Sequence, residues 1–389
     1  MTCRTPTRRV HEFVALVLAA AVLAACSSSS SATQSAKDAG TRQSAADPTA
    51  ALVLSDGRRT LAAGDQVAPG TRLGVGVYRG RLVKAQVADS TGRALDPEKP
   101  LPPKNSFTVT AEVQDAAGER TVTRTVKTRK AKRTIDAYVT PSSGSTVGVG
   151  MPIIVDFSQS VRNKKAAERA LSVSTSRPVG PASWSWLSDT QVQYRPKDYW
   201  PANTQVTVQA DLADVRTDKR TWGDEDTTTE FRVGREQVLK IRNATHSLRV
   251  IKDGQVIRRM GVSMGKPGYT SRSGIKVIMT HERWRRMRST TVNIGGGESY
   301  DLNVPYSMRI TNTGEFLHGA PWNPLVGQAN VSHGCTNLDL SQAAWLFSHS
   351  VAGDPVETRG TGKPMESYNG WGGGWNLSWA SWVGGSALS

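Results

Sequence analysis

Hydrophobic and polar positions alternate with a period near two along most of this chain, and stretches of helical period are rare. Short runs such as Arg72–Tyr78 and Ser106–Val113 stand between turn signals rich in Gly, Pro and Asp, the spacing expected of a small antiparallel sandwich. The segment from Thr134 to about Gly234 repeats this character, with strands predicted at Met151–Phe157 and Gln205–Leu212 and a brief helix at Lys164–Leu171. Trp184, Trp186, Tyr194 and Trp200 belong in the core of that second sandwich; a sugar-stacking surface is the other use for such a cluster. From Gln237 the runs lengthen, and Ser247–Lys252 and Gln255–Met260 flank Asp253-Gly254, a hairpin turn signal. Lys266–Ser299 is rich in Gly, Arg, Ser and Thr. Ser341–Ser350 has helical spacing with Ala343, Ala344, Leu346 and Phe347 apolar, which predicts a packing helix.

The two ends differ from this body. Residues 1–25 read as a bacterial export signal: Arg4, Arg8 and Arg9 precede the apolar run Phe13–Ala25, too short for an ordinary membrane-spanning helix. The run Leu23-Ala24-Ala25-Cys26 resembles a lipobox, in which Cys26 is lipidated and anchors the chain to the outer face of the cell membrane. A signal cleaved at a small-residue site without lipidation is the alternative. Residues 26–48 hold almost no large apolar side chain and read as a disordered linker. At the other end, four tryptophans between Trp371 and Trp382 make an implausible solvated surface. The expectation is that this extension docks on the domain before it. The resulting division is 1–25, 26–48, sandwiches at 49–132 and 133–234, a β-rich domain at 235–358 and a Trp-rich extension at 359–389.

Charge changes the picture only slightly. A net charge of +16 invites a nucleic-acid reading. The densest basic runs, Arg124–Arg133 and Arg283–Arg288, are short and are not interleaved with aromatics as such a surface would need. No nucleic-acid partner is expected; in an exported protein the excess suits the anionic polymers and peptide carboxylates of a cell wall.

The cysteines decide where chemistry lies. Cys3 and Cys26 fall in the export segment, so Cys335 is the lone thiol of the mature chain. Exported proteins use Cys in pairs, and an unpaired one points to a reactive group. Its thiolate needs a base or a positive neighbour. His318 lies seventeen positions upstream and can reach it if a strand ends at His318 and the chain returns at Ser332. Gly334 permits a sharp turn that would aim the amides of His333, Gly334 and Cys335 at a developing oxyanion. A buried, inert Cys among satisfied histidines is the bland alternative.

Competing motifs fail on context. Gly261-Val262-Ser263-Met264-Gly265 fits G-x-S-x-G, but Lys266-Pro267-Gly268 follows where that elbow needs a helix. Ser273-Gly274-Ile275-Lys276 fits S-x-x-K with Gly274 spoiling the helix, and His281-Glu282 has Arg285 where a zinc motif needs His. No metal site or other cofactor is expected.

The runs His318-Gly319-Ala320-Pro321-Trp322 and Ser332-His333-Gly334-Cys335-Thr336-Asn337 resemble the signature of the L,D-transpeptidases with a YkuD-type catalytic domain. The layout resembles the actinobacterial lipoprotein members, with immunoglobulin-like domains before the catalytic one. The implied fold is mostly β: two immunoglobulin-like β-sandwiches, a β-rich catalytic domain and a C-terminal extension. The resemblance implies that Cys335 attacks a peptidoglycan stem tetrapeptide and that His318 is the base. It also implies amide stabilisation at 333–335 and acyl transfer to a diamino-acid amine, giving a 3→3 cross-link. Position by position it makes Tyr300, Thr313, Gly314 and Asn337 substrate contacts. Gly319 stands where some relatives have a hydroxyl residue, so a backbone carbonyl is the candidate for orienting His318. His333 is open to a chemical or a structural role. A carboxypeptidase that passes the same thioester to water is the enzymatic rival, and a non-enzymatic wall-binding lipoprotein the rival of another class.

Overall fold

The computed structural model describes residues 49–389 with the exception of Pro97. The export segment, Cys3, Cys26 and the linker therefore lie outside the described residues.

Separate apolar cores follow one another along the chain, each built by the alternation seen in the sequence. In the first sandwich, Ser106–Asp115 sends Phe107, Val109, Ala111 and Val113 inward, all fully buried, as a period of two requires. This strand lies inside a five-stranded sheet, and Ala51–Ser55 pairs antiparallel with Gly74–Tyr78 beside it. The second sandwich stacks two four-stranded sheets. Its strand Ile153–Phe157 starts two residues later than predicted, past Pro152, and Gln205–Asp211 matches expectation. The predicted helix is Lys164–Arg169, with Asn163 Oδ1 accepting from the Ala166 amide at 3.2 Å. Trp184 and Trp200 sit in the core, with Tyr194 between them at ring distances of 5.1 and 6.1 Å. The aromatic cluster is therefore packing, not a sugar platform.

Residues 237–364 form a six-stranded sheet, whose last strand is Lys363–Pro364, and a four-stranded sheet around a third core that includes Leu239, Val250, Met308, Leu317 and Leu338. The hairpin Ser247–Lys252/Gln255–Gly261 turns at Asp253 and Gly254, both at positive φ. Leu340–His349 is the packing helix, burying Ala343 and Leu346. This domain meets the second sandwich backbone to backbone: Gly148 N–H donates to the Ala352 carbonyl at 2.8 Å. A Cβ at Gly148 would come within 2.3 Å of the Asp354 nitrogen, so only glycine allows this approach.

The C-terminal extension corrects an expectation. It does not dock on the catalytic domain alone but bridges that domain and the second sandwich. Asn376 bonds both the amide and the carbonyl of Ile275 at 2.8 Å, while Trp382 Nε1 donates to the Ser183 carbonyl at 2.9 Å. Arg195 of the sandwich lies 4.5 Å from the ring centres of Trp375 and Trp382 and 5.5 Å from Trp379. A guanidinium among indole faces gains cation–π attraction while its donors reach carbonyls such as Gly374. Three of the four tryptophans thus surround a cation supplied by another domain.

Candidate active site

Phe316–Gly319 runs parallel to Thr336–Leu338 with His318 opposite Asn337. The intervening chain leaves one strand and re-enters beside it, which sets Cys335 just before the second strand. Gly334 is buried at φ +119°, a conformation that suits glycine. Ser271 Oγ donates to the Gly334 carbonyl at 2.7 Å and Ser332 Oγ to the Cys335 carbonyl at 2.6 Å. Two hydroxyls therefore fix the turn that presents the thiol.

His318 is buried, with Nδ1 2.9 Å from the Gly319 carbonyl and Nε2 3.0 Å from Asn337 Nδ2. Its tautomer follows from a chain of partners. The Leu325 amide donates to Asn323 Oδ1 at 3.0 Å, so Asn323 presents Nδ2 to Asn337 Oδ1, also at 3.0 Å. Asn337 then offers Nδ2 to His318 Nε2, which must accept. The ring proton therefore sits on Nδ1 and donates to Gly319. Backbone groups anchor both ends of this relay. Burial pushes the imidazole down to about 4, against an opposing contribution from the Gly319 hydrogen bond.

Cys335 is half-buried, and its thiol donates to the Gly314 carbonyl at 3.8 Å. Its surroundings exclude enough solvent to push it up to about 12; the Phe316 amide opposes this and the Glu315 charge adds to it. Among the described residues no hydrogen bond joins Sγ to His318. The resting pair is a neutral thiol and a neutral imidazole. The expectation of three oxyanion amides is corrected at one position, because Gly334 N–H already donates to Ser332 Oγ at 3.1 Å. The amides of His333 and Cys335 have no acceptor among the described residues.

His333 takes no part in the His318 relay. Its Nε2 lies 2.6 Å from Glu298 Oε2, which also receives Lys266 Nζ at 2.6 Å. Those two hydrogen bonds, Lys266 first, hold the Glu298 carboxyl below its ordinary range. The rings of Tyr269 and Tyr300 flank His333 at 4.7 and 5.3 Å. His333 thereby latches the loop carrying Glu298 and Tyr300 onto the thiol turn. Burial, with the nearby Cys335, raises the Tyr300 phenol. Thr313 has its amide and its hydroxyl bonded to Asn369 of the extension, both at 3.0 Å, and Gly314 stands at φ +96° over the thiol.

A cavity of about 370 Å³ opens on this arrangement and is lined by Cys335, His318, Asn337, Trp322, Tyr300 and Leu325, among others. A second cavity, of about 190 Å³, meets the thiol from the other side and is lined by Thr313 and Gly314. All the residues predicted for the described site thus gather at one thiol. The sequence reading missed Asn323, Glu298, Lys266 and Asn369, which lie in loops whose packing no periodicity reports. The rival serines are placed otherwise. Ser263 is fully buried and accepts from the Val331 amide at 3.2 Å, and Ser273 sits on the strand Arg272–Val277 instead of a helix. The arrangement offers a nucleophile, a neutral base of fixed tautomer and two unpaired amide donors.

Comparison with known proteins agrees with this geometry. Residues 236–358 match the L,D-transpeptidase catalytic domain family, and residues 64–216 match a bacterial Ig domain family, a span that crosses both sandwiches. The chain is 31% identical over 285 residues to L,D-transpeptidase 2 of Mycobacterium tuberculosis, covering 72% of this chain and 69% of that protein. It is 34% identical over 227 residues to L,D-transpeptidase 1 of the same species, covering 58% of this chain and 84% of that one. The solved structure of an LD transpeptidase in complex with imipenem superposes with a TM-score of 0.50 at 33% identity, covering 57% of this chain and 98% of that chain. On the thiol turn, the histidine relay and these similarities together, the chain belongs to the L,D-transpeptidase family, which forms peptidoglycan cross-links.

Proposed function

We propose that this chain forms 3→3 cross-links through a thioester on Cys335. The observation that carries this reading is a thiol sharing a cavity with an imidazole whose Nε2 is kept unprotonated, as an acceptor, by the Asn323–Asn337 relay. Cys335 Sγ attacks the carbonyl preceding the terminal D-alanine of a donor stem, and its proton passes to His318 Nε2. Nε2 must change partner for this step, from the Asn337 amide to the thiol. The amides of His333 and Cys335 receive the oxyanion. As the tetrahedral adduct collapses, the imidazolium proton goes to the departing D-alanine amine and the acyl group remains on sulfur. A diamino-acid amine of a second stem then attacks the thioester, gives its proton to Nε2 and restores the thiol.

The resting pair suits this order. A neutral base and a neutral thiol create charge only as the attack proceeds, where the two free amides can stabilise it. Imipenem, seen bound to the related enzyme, carries a strained amide open to the same attack. The test is mass spectrometry of purified muropeptides incubated with the soluble part of the chain. The expected product is a cross-linked dimer with loss of one D-alanine per bond. Shortened monomers alone would assign a carboxypeptidase, and unchanged muropeptides would favour a binding protein.

The site is placed outside the membrane, tethered through a lipidated Cys26, a reading supported by the apolar run ending in Leu23-Ala24-Ala25-Cys26. Cys26→Ala should release the protein from the membrane fraction. A variant that still partitions wholly with membranes would refute the tether.

A further inference from the structure

The extension that bridges the two domains also seats against the turn that carries Thr313 and Gly314, between the strands Asp301–Arg309 and Phe316–Gly319. Asn369 is buried there. Its Oδ1 accepts from the Thr313 amide and its Nδ2 donates to the Thr313 hydroxyl, both at 3.0 Å. One residue earlier, the Tyr368 carbonyl accepts from Asn312 Nδ2 at 3.3 Å. One residue later, Gly370 stands at φ +101°, and a Cβ on it would come within 3.3 Å of Thr311 Cα. The loop and the turn are therefore in close backbone contact.

Glu366 ties down the other flank of Gly314. Its Oε2 accepts from Asn369 Nδ2 at 2.8 Å and from Arg272 Nε at 2.6 Å. Arg272 gives its backbone amide and a guanidinium N–H to Glu315 Oε1, at 3.1 and 2.9 Å. The Glu315 amide donates to Thr311 Oγ1 at 2.8 Å, which closes the turn on itself. Thr313 and Glu315 are thus both held from one loop of the extension. Gly314, between them, carries the carbonyl that receives the thiol at 3.8 Å, and Phe316 supplies the amide that favours the thiolate. The opposite wall hangs from the same place, because Ser271, next to Arg272, donates to the Gly334 carbonyl at 2.7 Å.

Asn369, Glu366 and Arg272 line neither cavity at the thiol, so they act on the chemistry only through the turn they hold. We infer that Asn369 and Glu366 are positioning residues for acylation of Cys335, fixing Thr313–Glu315 so that the sulfur stays aligned with His318 and the oxyanion amides. The inference rests on the thioester reading above and adds that part of the machinery lies in the extension. Burial of hydrogen-bonded polar groups at this seat restricts the turn far more than apolar packing alone, since any displacement leaves the Thr313 amide without a partner.

Three variants and two reactions test this. Acylation by imipenem needs the aligned sulfur, whereas alkylation by iodoacetamide at pH 10 needs only the thiolate. Asn369→Ala and Glu366→Ala should slow acylation by about 10- to 100-fold, the usual cost of a small misplacement of a reacting group. Their alkylation at pH 10 should stay within about threefold of wild type. Glu366→Gln keeps an oxygen that accepts from both Asn369 and Arg272, and should recover most of the rate lost in Glu366→Ala. Acylation of both Ala variants within about threefold of wild type would overturn the inference. Slower acylation accompanied by a lower melting temperature and faster alkylation would mean a loosened fold and overturn it too. If Asn369→Ala does not fold, the Glu366 pair decides, and equal acylation of its Gln and Ala variants overturns the inference. If imipenem leaves no adduct on Cys335 of the wild type, the thioester reading itself falls. Failure of the variants to differ while that adduct forms refutes only the positioning role.

Discussion

The most informative single substitution is Asn337→Asp, which replaces an amide by a carboxylate of the same shape. In the wild type the Asn337 Nδ2 donates to His318 Nε2 at 3.0 Å, and the Asn323 Nδ2 donates to Asn337 Oδ1 at the same distance. A carboxylate keeps the second bond and inverts the first: it can only accept, so Nε2 must carry a proton. Burial holds His318 at about 4 instead of 6.5, a displacement equivalent to about 3 kcal/mol. An adjacent carboxylate typically raises a cation's pKa by about 1–3, enough to cancel most or all of that. At neutral pH much of the base would then be protonated, and the rest would carry its proton on Nε2, the wrong tautomer for taking one from the thiol. Acylation by imipenem should slow by about 10²–10⁴-fold, the usual contribution of a positioned base.

The pH dependence carries the sign. In the wild type the base is neutral above about 4, so the acid limb of acylation should lie near there. In Asn337→Asp it should move up toward the ordinary histidine range. The same depressed imidazole makes a stability prediction: the unfolded chain binds the extra proton between about 6.5 and about 4, so His318 contributes stability above 6.5 that is lost as pH falls through that window. Stopped-flow acylation between pH 4 and 9 measures the limb, and thermal unfolding checks that the variant is folded. An acid limb left near 4, with a rate within about threefold of wild type, would refute the relay as the source of the base.

Two further outcomes follow from the packing and the thiol. Trp382→Ala removes a fully buried indole and its bond to the Ser183 carbonyl; it should cost about 3–5 kcal/mol, and an unchanged melting temperature would show that the extension does not bridge the domains. Because burial pushes the Cys335 thiol up to about 12, alkylation by iodoacetamide should keep rising from pH 7 to 10; a plateau by pH 7 would mean a resting thiolate–imidazolium pair.

Much of this molecule was legible in its sequence, for identifiable reasons. Alternation marked Ser106–Val113 as a strand, and its alternate residues Phe107, Val109, Ala111 and Val113 are the ones that turn inward, because side chains in a strand change face at every position. Asp253-Gly254 announced its hairpin through the positive φ both residues adopt. Cys335 stood out through the absence of a disulfide partner, and Gly334 through its place beside that cysteine. The rest depended on contacts between residues distant in the chain. Asn323 reads as an ordinary loop residue until the parallel strands set Asn337 opposite His318. Glu298 lies in a glycine-rich loop, and only folding brings it to His333. The tryptophans of the extension were recognised as buried, but their partner Arg195 is about 180 positions away, so the docking face was misread. The oxyanion donors were overcounted because a hydroxyl of the motif itself, Ser332, occupies one of the three amides.

Passage of the chemistry through the Cys335 thiol is read out by intact-mass and peptide-mapping analysis after incubation with imipenem. One adduct per chain is expected, located on the peptide containing Cys335, and none in Cys335→Ala. An adduct on Ser263 or Ser273, or cross-linking activity that survives Cys335→Ala, would contradict it.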